Sequence, residues 1–147
     1  MASSTVYDAI KAKLVTDLGG TYAVRDFEEI DVIVPQQTDP WIAVEDGSGS
    51  DTLDSIGSPD QNWVSDTGFI DVHVFTRSDT SLSTGRDIGE LVRQSLRYYR
   101  PSVPAGEVLR IVGVTPPSTG LIYDGLWSSV LVSVNYTHQY AVATAAE

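Results

Sequence analysis

The chain has 147 residues, a formal net charge of −11 and no cysteine. That length predicts one domain, and 41% hydrophobic against 20% charged residues is a globular composition rather than a disordered one. Twenty acids against nine bases exclude a general nucleic-acid binder and a docking module for anionic membranes, while the lack of cysteine excludes disulfides, thiolate zinc sites and a thiol nucleophile.

The first predicted element is a helix. Thr5-Val6-Tyr7-Asp8 has the form of a capping box with Thr5 as N-cap, and Val6, Ile10, Leu14 and Leu18 make one apolar stripe. Gly19-Gly20 stops it. Residues 22–34 read as a polar approach to a short strand, Ile30-Asp31-Val32-Ile33-Val34, and residues 41–45 as a second strand after Pro40. Residues 46–62 are rich in Gly, Ser and Asp and predict a long loop or hairpin tip, with Leu53 and Ile56 resuming a strand. Residues 68–76 alternate strictly: Ile70, Val72 and Val74 on one face, Phe69, Asp71, His73 and Phe75 on the other.

A second helix opens at another capping box, Thr84-Gly85-Arg86-Asp87. Ile88, Leu91, Val92, Ser95, Leu96 and Tyr99 keep helical spacing, and Pro101 ends the helix at Arg100. Arg86, Arg93, Arg97 and Arg100 share a face off that stripe. Residues 108–114 predict a strand, Asp124-Gly125 a turn, and residues 130–142 a long final strand. Val130, Val132, Val134, Tyr136, His138, Tyr140 and Val142 lie on one of its faces.

This order predicts an α+β fold: a single, mostly antiparallel twisted sheet with two helices packed on one face. Residues 1–142 form the domain and residues 143–147 a loose tail. The last strand would span about 43 Å at about 3.3 Å per residue, against a diameter of about 38 Å for a compact sphere of this chain length. A long projecting β-hairpin is therefore expected, and with it self-association, since an unpaired strand edge is a liability for a monomer. Neither a leader peptide nor a membrane span is expected: the start lacks an apolar core, and the most apolar run, residues 126–134, is about half the ~20 residues of a spanning helix.

Charge is segregated along the chain. Residues 26–76 hold twelve acids and no Lys or Arg, whereas Arg77, Arg86, Arg93, Arg97 and Arg100 follow closely. Glu45, Asp46, Asp51 and Asp54 are candidates for an acidic surface or lumen; Arg86, Arg93, Arg97, Arg100, Tyr136 and Tyr140 are candidates for subunit contact. Asp46-Gly47-Ser48-Gly49-Ser50-Asp51-Thr52-Leu53-Asp54 is one residue away from a calcium-binding nonapeptide, which makes Asp46, Asp51 and Asp54 a weak cation candidate. A single copy lacks the stacked turns that share the ion, so an acidic surface loop is the plainer reading. His73 and His138 are the only histidines, and each falls in an alternating strand, as a packed or surface residue would. No nucleophile elbow, zinc-protease helix, P-loop or dinucleotide fingerprint occurs. No catalysis, cofactor or metal is expected. Trp63, beside the acidic segment, is the tryptophan expected to be exposed.

The order of these segments resembles the tail terminator proteins of long-tailed bacteriophages. The resemblance is carried by the first helix, by Asp39-Pro40-Trp41-Ile42-Ala43-Val44, and by the Gly-led strand from Gly68 through Val74-Phe75-Thr76. It continues in Gly85-Arg86 opening an amphipathic helix, and in Asp124-Gly125-Leu126-Trp127 leading a long strand with Tyr136 and Tyr140. Family membership would imply a structural virion protein assembled in the host cytoplasm. It would form a homo-oligomeric, hexameric ring that caps the tail tube protein, ends its polymerisation and offers the surface for head–neck connector proteins. DNA would pass through the hole without being held. A neck or head–tail connector of the same fold is the alternative, and a calcium-responsive binding module a more distant one.

Overall fold

The computed structural model describes residues 4–29, 39–47, 49–56, 61–77, 82–103, 106–123 and 127–143. Helix α1 spans Ser4–Leu18, one residue ahead of the expected cap, a shift within ordinary end fraying. Its stripe performs as the spacing requires: Val6, Ile10 and Leu14 are fully buried. The chain leaves the helix through Gly19, whose N–H donates to the Val15 carbonyl at 3.0 Å. Strand β1 (Ala23–Asp26) and a single 3-10 turn (Phe27–Glu29) follow. The strand expected at residues 30–34 lies outside the described residues.

Strands β2 (Trp41–Glu45), β3 (Gly49–Ile56) and β4 (Gln61–Arg77) come next. Residues 49–56 are thus one strand, which begins within the expected loop and includes the resumption expected at Leu53 and Ile56; it pairs antiparallel to β4 from Gly49↔Gly68 to Ile56↔Asn62. Few of its residues favour β structure; the open edge of the long β4 supplies the partner that propensity does not. Helix α2 spans Leu82–Leu96, starting two residues before the expected Thr84 cap and ending four before Arg100. Arg97 N–H still bonds the Arg93 carbonyl at 2.8 Å, and Tyr99 N–H the Leu96 carbonyl at 3.2 Å, so the end loosens into turns ahead of Pro101. Strands β5 (Val108–Val114), β6 (Ser118–Tyr123) and β7 (Trp127–Ala143) complete the fold. The Asp124-Gly125 turn and residues 144–147 lie outside the described residues; Ala143, expected in the loose tail, still belongs to β7.

The seven strands make one open sheet with the path β1-β2-β4-β7-β5. Its spine is β4 against β7, antiparallel in unbroken register from Gln61↔Ala143 to Arg77↔Trp127. The free edge of β4 takes β2 along residues 71–75 and β3 along residues 62–68. The free edge of β7 takes β6 along residues 127–131 and β5 along residues 134–139. Only β1–β2 is parallel. The fold is therefore α+β with a mostly antiparallel sheet, as expected.

The long projecting hairpin is not what forms. A hairpin is no longer than its shorter strand, and β6, the sequence neighbour of β7, reaches only from Ser118↔Leu131 to Tyr123↔Trp127. The length of β7 is matched instead by β4, which places its valines at the centre of the sheet.

Both helices cover one face. Val6, Ile10 and Leu14 of α1 and Ile88, Val92 and Leu96 of α2 pack with Ile42, Val44, Ile70, Val72, Val74, Val130, Val132, Val134 and Tyr136. Each such aliphatic side chain contributes roughly 1.5–3 kcal/mol over leaving it exposed. Glycines let α2 sit close: a Cβ on Gly89 would lie 3.1 Å from Pro117 and 3.3 Å from Val130. The opposite face carries an aromatic cluster, with Trp41 stacked on Phe75 at 4.6 Å and edge-on to Trp127 at 6.4 Å.

Candidate functional site

The arginine face of α2 divides into two parts. Arg86 is exposed near the helix start. Arg93 is half-buried and reaches Glu90 at 3.4 Å, a contact within one helix turn. Arg97 and Arg100 are exposed beyond the last regular turn. These two line a groove of about 580 Å³ with Tyr98 and Tyr99 on one side and residues 108–111 of β5 on the other. Four consecutive strand residues, whose side chains alternate between faces, can line one groove only if it runs along the strand's backbone edge. Tyr98 is 83% exposed, with the Arg97 guanidinium 5.7 Å from its ring centre.

Arg110 joins Arg97 and Arg100 in this groove, a convergence that helical spacing along α2 does not reveal. Its signal was present in the alternation of β5: Val108, Arg110 and Val112 are exposed while Leu109 is buried. A smaller groove of about 230 Å³ holds Val108, Arg110, Val112, Thr137 and Gln139. Arg110 thus stands at the β5 edge where the two grooves meet.

Tyr136 and Tyr140 separate from the arginines. Tyr136 is 2% exposed, and its hydroxyl donates to the Asp66 carboxylate at 3.4 and 3.5 Å. It serves the interior of the chain, within the core that the two helices cover. Tyr140 is half-buried with its ring 5.0 Å from that of His138.

The acidic candidates also scatter. Glu45 is half-buried and meets His73 Nε2 at 2.7 Å. Asp46 is half-buried immediately after β2. Asp51 and Asp54 fall in β3, where an extended backbone replaces the tight turns that a calcium nonapeptide needs; Asp54 sits at a register shift between Leu53 and Ser55. Among the described residues no group of three or more His, Asp or Glu side chains is placed to hold a metal ion. Asp51 and Asp54 still share one strand edge, on the far side of the sheet from β5.

Two buried histidines each have a glutamate partner that sequence spacing did not disclose. His138 Nε2 meets Glu107 Oε1 at 2.7 Å, and His138 lies in register with Asp66. His73 mirrors this with Glu45, its ring 4.6 Å from Phe27. Both pairs tie an outer strand or loop to the spine.

Tyr7 and Lys11 of α1 converge on Asp26 of β1. The Tyr7 hydroxyl bonds the Asp26 carboxylate and lies 3.0 Å from the Val44 carbonyl; Lys11 Nζ is 2.8 Å from the same carboxylate. The hydrogen bond from Lys11, then that from Tyr7, holds Asp26 below the usual carboxylate range. Burial, then the neighbouring Asp26, pushes the Tyr7 hydroxyl well above its ordinary value.

No protein-family model and no curated protein matches this chain. A solved structure whose name is a sequence identifier superposes with a TM-score of 0.53 at 15% identity, covering 90% of this chain and 95% of that one. The likeness concerns the fold. Among the described residues no helix is long and apolar enough to cross a membrane.

Proposed function

We propose that this chain is a ring-forming structural protein of a tail terminator type, which caps a phage tail tube and presents a surface for head attachment. One observation carries the reading. The described segments behind the resemblance fold, in that order, into one sheet backed by both helices, an architecture compatible with the family reading. The charge distribution supports it. Twelve acids lie in residues 26–76, and an acidic passage repels phosphate, so a duplex moves through without being held. Glu45 and Asp46 are the described candidates for that lining. A neck component would have the same fold and the same ring, so the tube end separates the two readings.

The test is negative-stain microscopy of the protein mixed with tail tubes, alongside light scattering of the protein alone. Rings seated on tube ends, with tube growth halted, support the terminator. Rings that ignore tube ends but bind neck proteins support the connector. A chain that stays monomeric and leaves tubes growing refutes both.

A further inference from the structure

Among the described residues, β3 and β5 leave two sheet edges open at the same level, and they carry opposite charge. Pairing runs in rows across β3, β4, β7 and β5: Thr52–Ser65–Gln139–Val108, then Asp51–Asp66–His138–Leu109, then Ser50–Thr67–Thr137–Arg110, then Gly49–Gly68–Tyr136–Ile111. Among the described residues no strand pairs with the outer edge of β3 or of β5. Irregularities bound each free run, at Leu53/Ser55 in β3 and at Ile111/Gly113 in β5, so both edges are regular over the same four rows. The β3 sequence contains Asp51 and Asp54 and no base; the β5 edge is bordered by Arg97, Arg100 and Arg110.

We propose that β3 of one copy adds to β5 of the next, seating in the arginine-lined groove and continuing the sheet from subunit to subunit. The strand directions agree. β3 and β5 run oppositely within one chain, since each is antiparallel to a neighbour in the antiparallel β4–β7 spine. Copies related by rotation about a ring axis that runs along the strands therefore bring β3 against β5 antiparallel, as one sheet continuing from copy to copy. The row holding Asp51 is the row of Leu109, whose side chain lies on the helix-bearing face beside Arg97 and Arg100. The contact is heterologous, acid edge to basic edge, and such contacts close into rings where the rotation permits. This seam rests on the ring reading in one respect, that the chain meets copies of itself.

The absence of cysteine makes the seam directly testable. Thr52→Cys is prepared in one batch and Val108→Cys in another, and the two are mixed and treated with a short bis-maleimide. A mixed product is then necessarily intermolecular. The Thr52–Val108 product should exceed either self-product severalfold. It should fall at least tenfold when Arg97→Glu and Arg100→Glu are added to the Val108→Cys chain, and recover when Asp51→Arg is added to the Thr52→Cys chain. Both arginines are exposed, so the double variant keeps its fold. Predominance of a self-product, or a mixed product indifferent to the charge changes, overturns the seam. So does a monomeric chain that binds duplex DNA or an acidic peptide through the same arginines. Rings on tube ends without the mixed product overturn the seam and leave the terminator reading standing; a monomer that never caps a tube overturns both.

Discussion

Tyr7→Phe removes one oxygen at the point where α1 is fastened to the sheet. That hydroxyl bonds the Asp26 carboxylate and lies 3.0 Å from the Val44 carbonyl, so its loss leaves a part-buried carboxylate with Lys11 alone. A hydrogen bond to a charged group is worth about 1.5–3 kcal/mol, but Asp26 keeps about a third of its side chain in water. Solvent screening reduces the expected penalty to about 1–2 kcal/mol at pH 7, against a total stability on the order of 5–15 kcal/mol. For a domain of this size, that lowers Tm by roughly 2–8 °C.

The penalty should depend on pH in one direction. Asp26 is held below its ordinary value, so the unfolded chain binds the proton first. The stability from this carboxylate is fully present above the ordinary aspartate value near ~4 and is lost as pH falls through the lower folded value. Urea denaturation of wild type, Tyr7→Phe, Asp26→Asn and the double variant, at pH 7 and at pH 3, measures the coupling. Asp17 on α1 is also held low, by the Ser95 hydroxyl and then Lys13, and the cycle cancels it because it is common to all four chains. Equal Tyr7→Phe penalties in the presence and absence of the Asp26 carboxylate at pH 7 would refute the reasoning.

Three further outcomes follow from the packing. Trp41→Ala should destabilise the chain by about 3–5 kcal/mol, because the ring is fully buried between Phe75 and Trp127; denaturant midpoints and the near-ultraviolet dichroism of the cluster report it. Gly89→Val should cost about 1–3 kcal/mol by wedging α2 from Pro117 and Val130, whereas Gly20→Ala, with nothing within 4 Å of the added carbon, should stay within about 0.5 kcal/mol. Acrylamide should quench Trp63, at 39% exposure, in the folded chain while sparing Trp41 and Trp127; uniform quenching would contradict the burial of the aromatic face.

The elements set by periodicity were legible in the sequence. Val6, Ile10 and Leu14 recur every four residues, and Ile70, Val72 and Val74 every two, so helix, strand and buried face followed from spacing alone. Only the end of β3 was legible, through Leu53 and Ile56; Gly49, Ser50, Asp51 and Thr52 carry no apolar alternation. What makes it a strand is the stretch of β4 ahead of Gly68, of which sequence signals place residues 61–62 in the loop and residues 63–67 in no element. The last strand was found, but its partner was misjudged, because the residues that match its length lie across α2 and two strands. The site follows the same division. Arg97 and Arg100 share a face that helical spacing reveals, but Arg110 joins them only through the pairing of β5 with β7. The two His–Glu pairs depend on strand register in the same way.

The spine of the sheet joins residues as distant as Gln61 and Ala143, and β7 is synthesised after every other strand. Until it emerges from the ribosome, β4, β5 and β6 all lack their main partner. Sheets built on such non-local pairing fold slowly, in roughly milliseconds to seconds. A nascent chain of this protein can therefore form α1, α2 and the pairs of β4 with β2 and β3 early, while the edge of β4 that β7 covers stays open. Insertion of the central strand closes that edge along its whole length, so the strand made last is the one that removes the widest unpaired edge of the sheet.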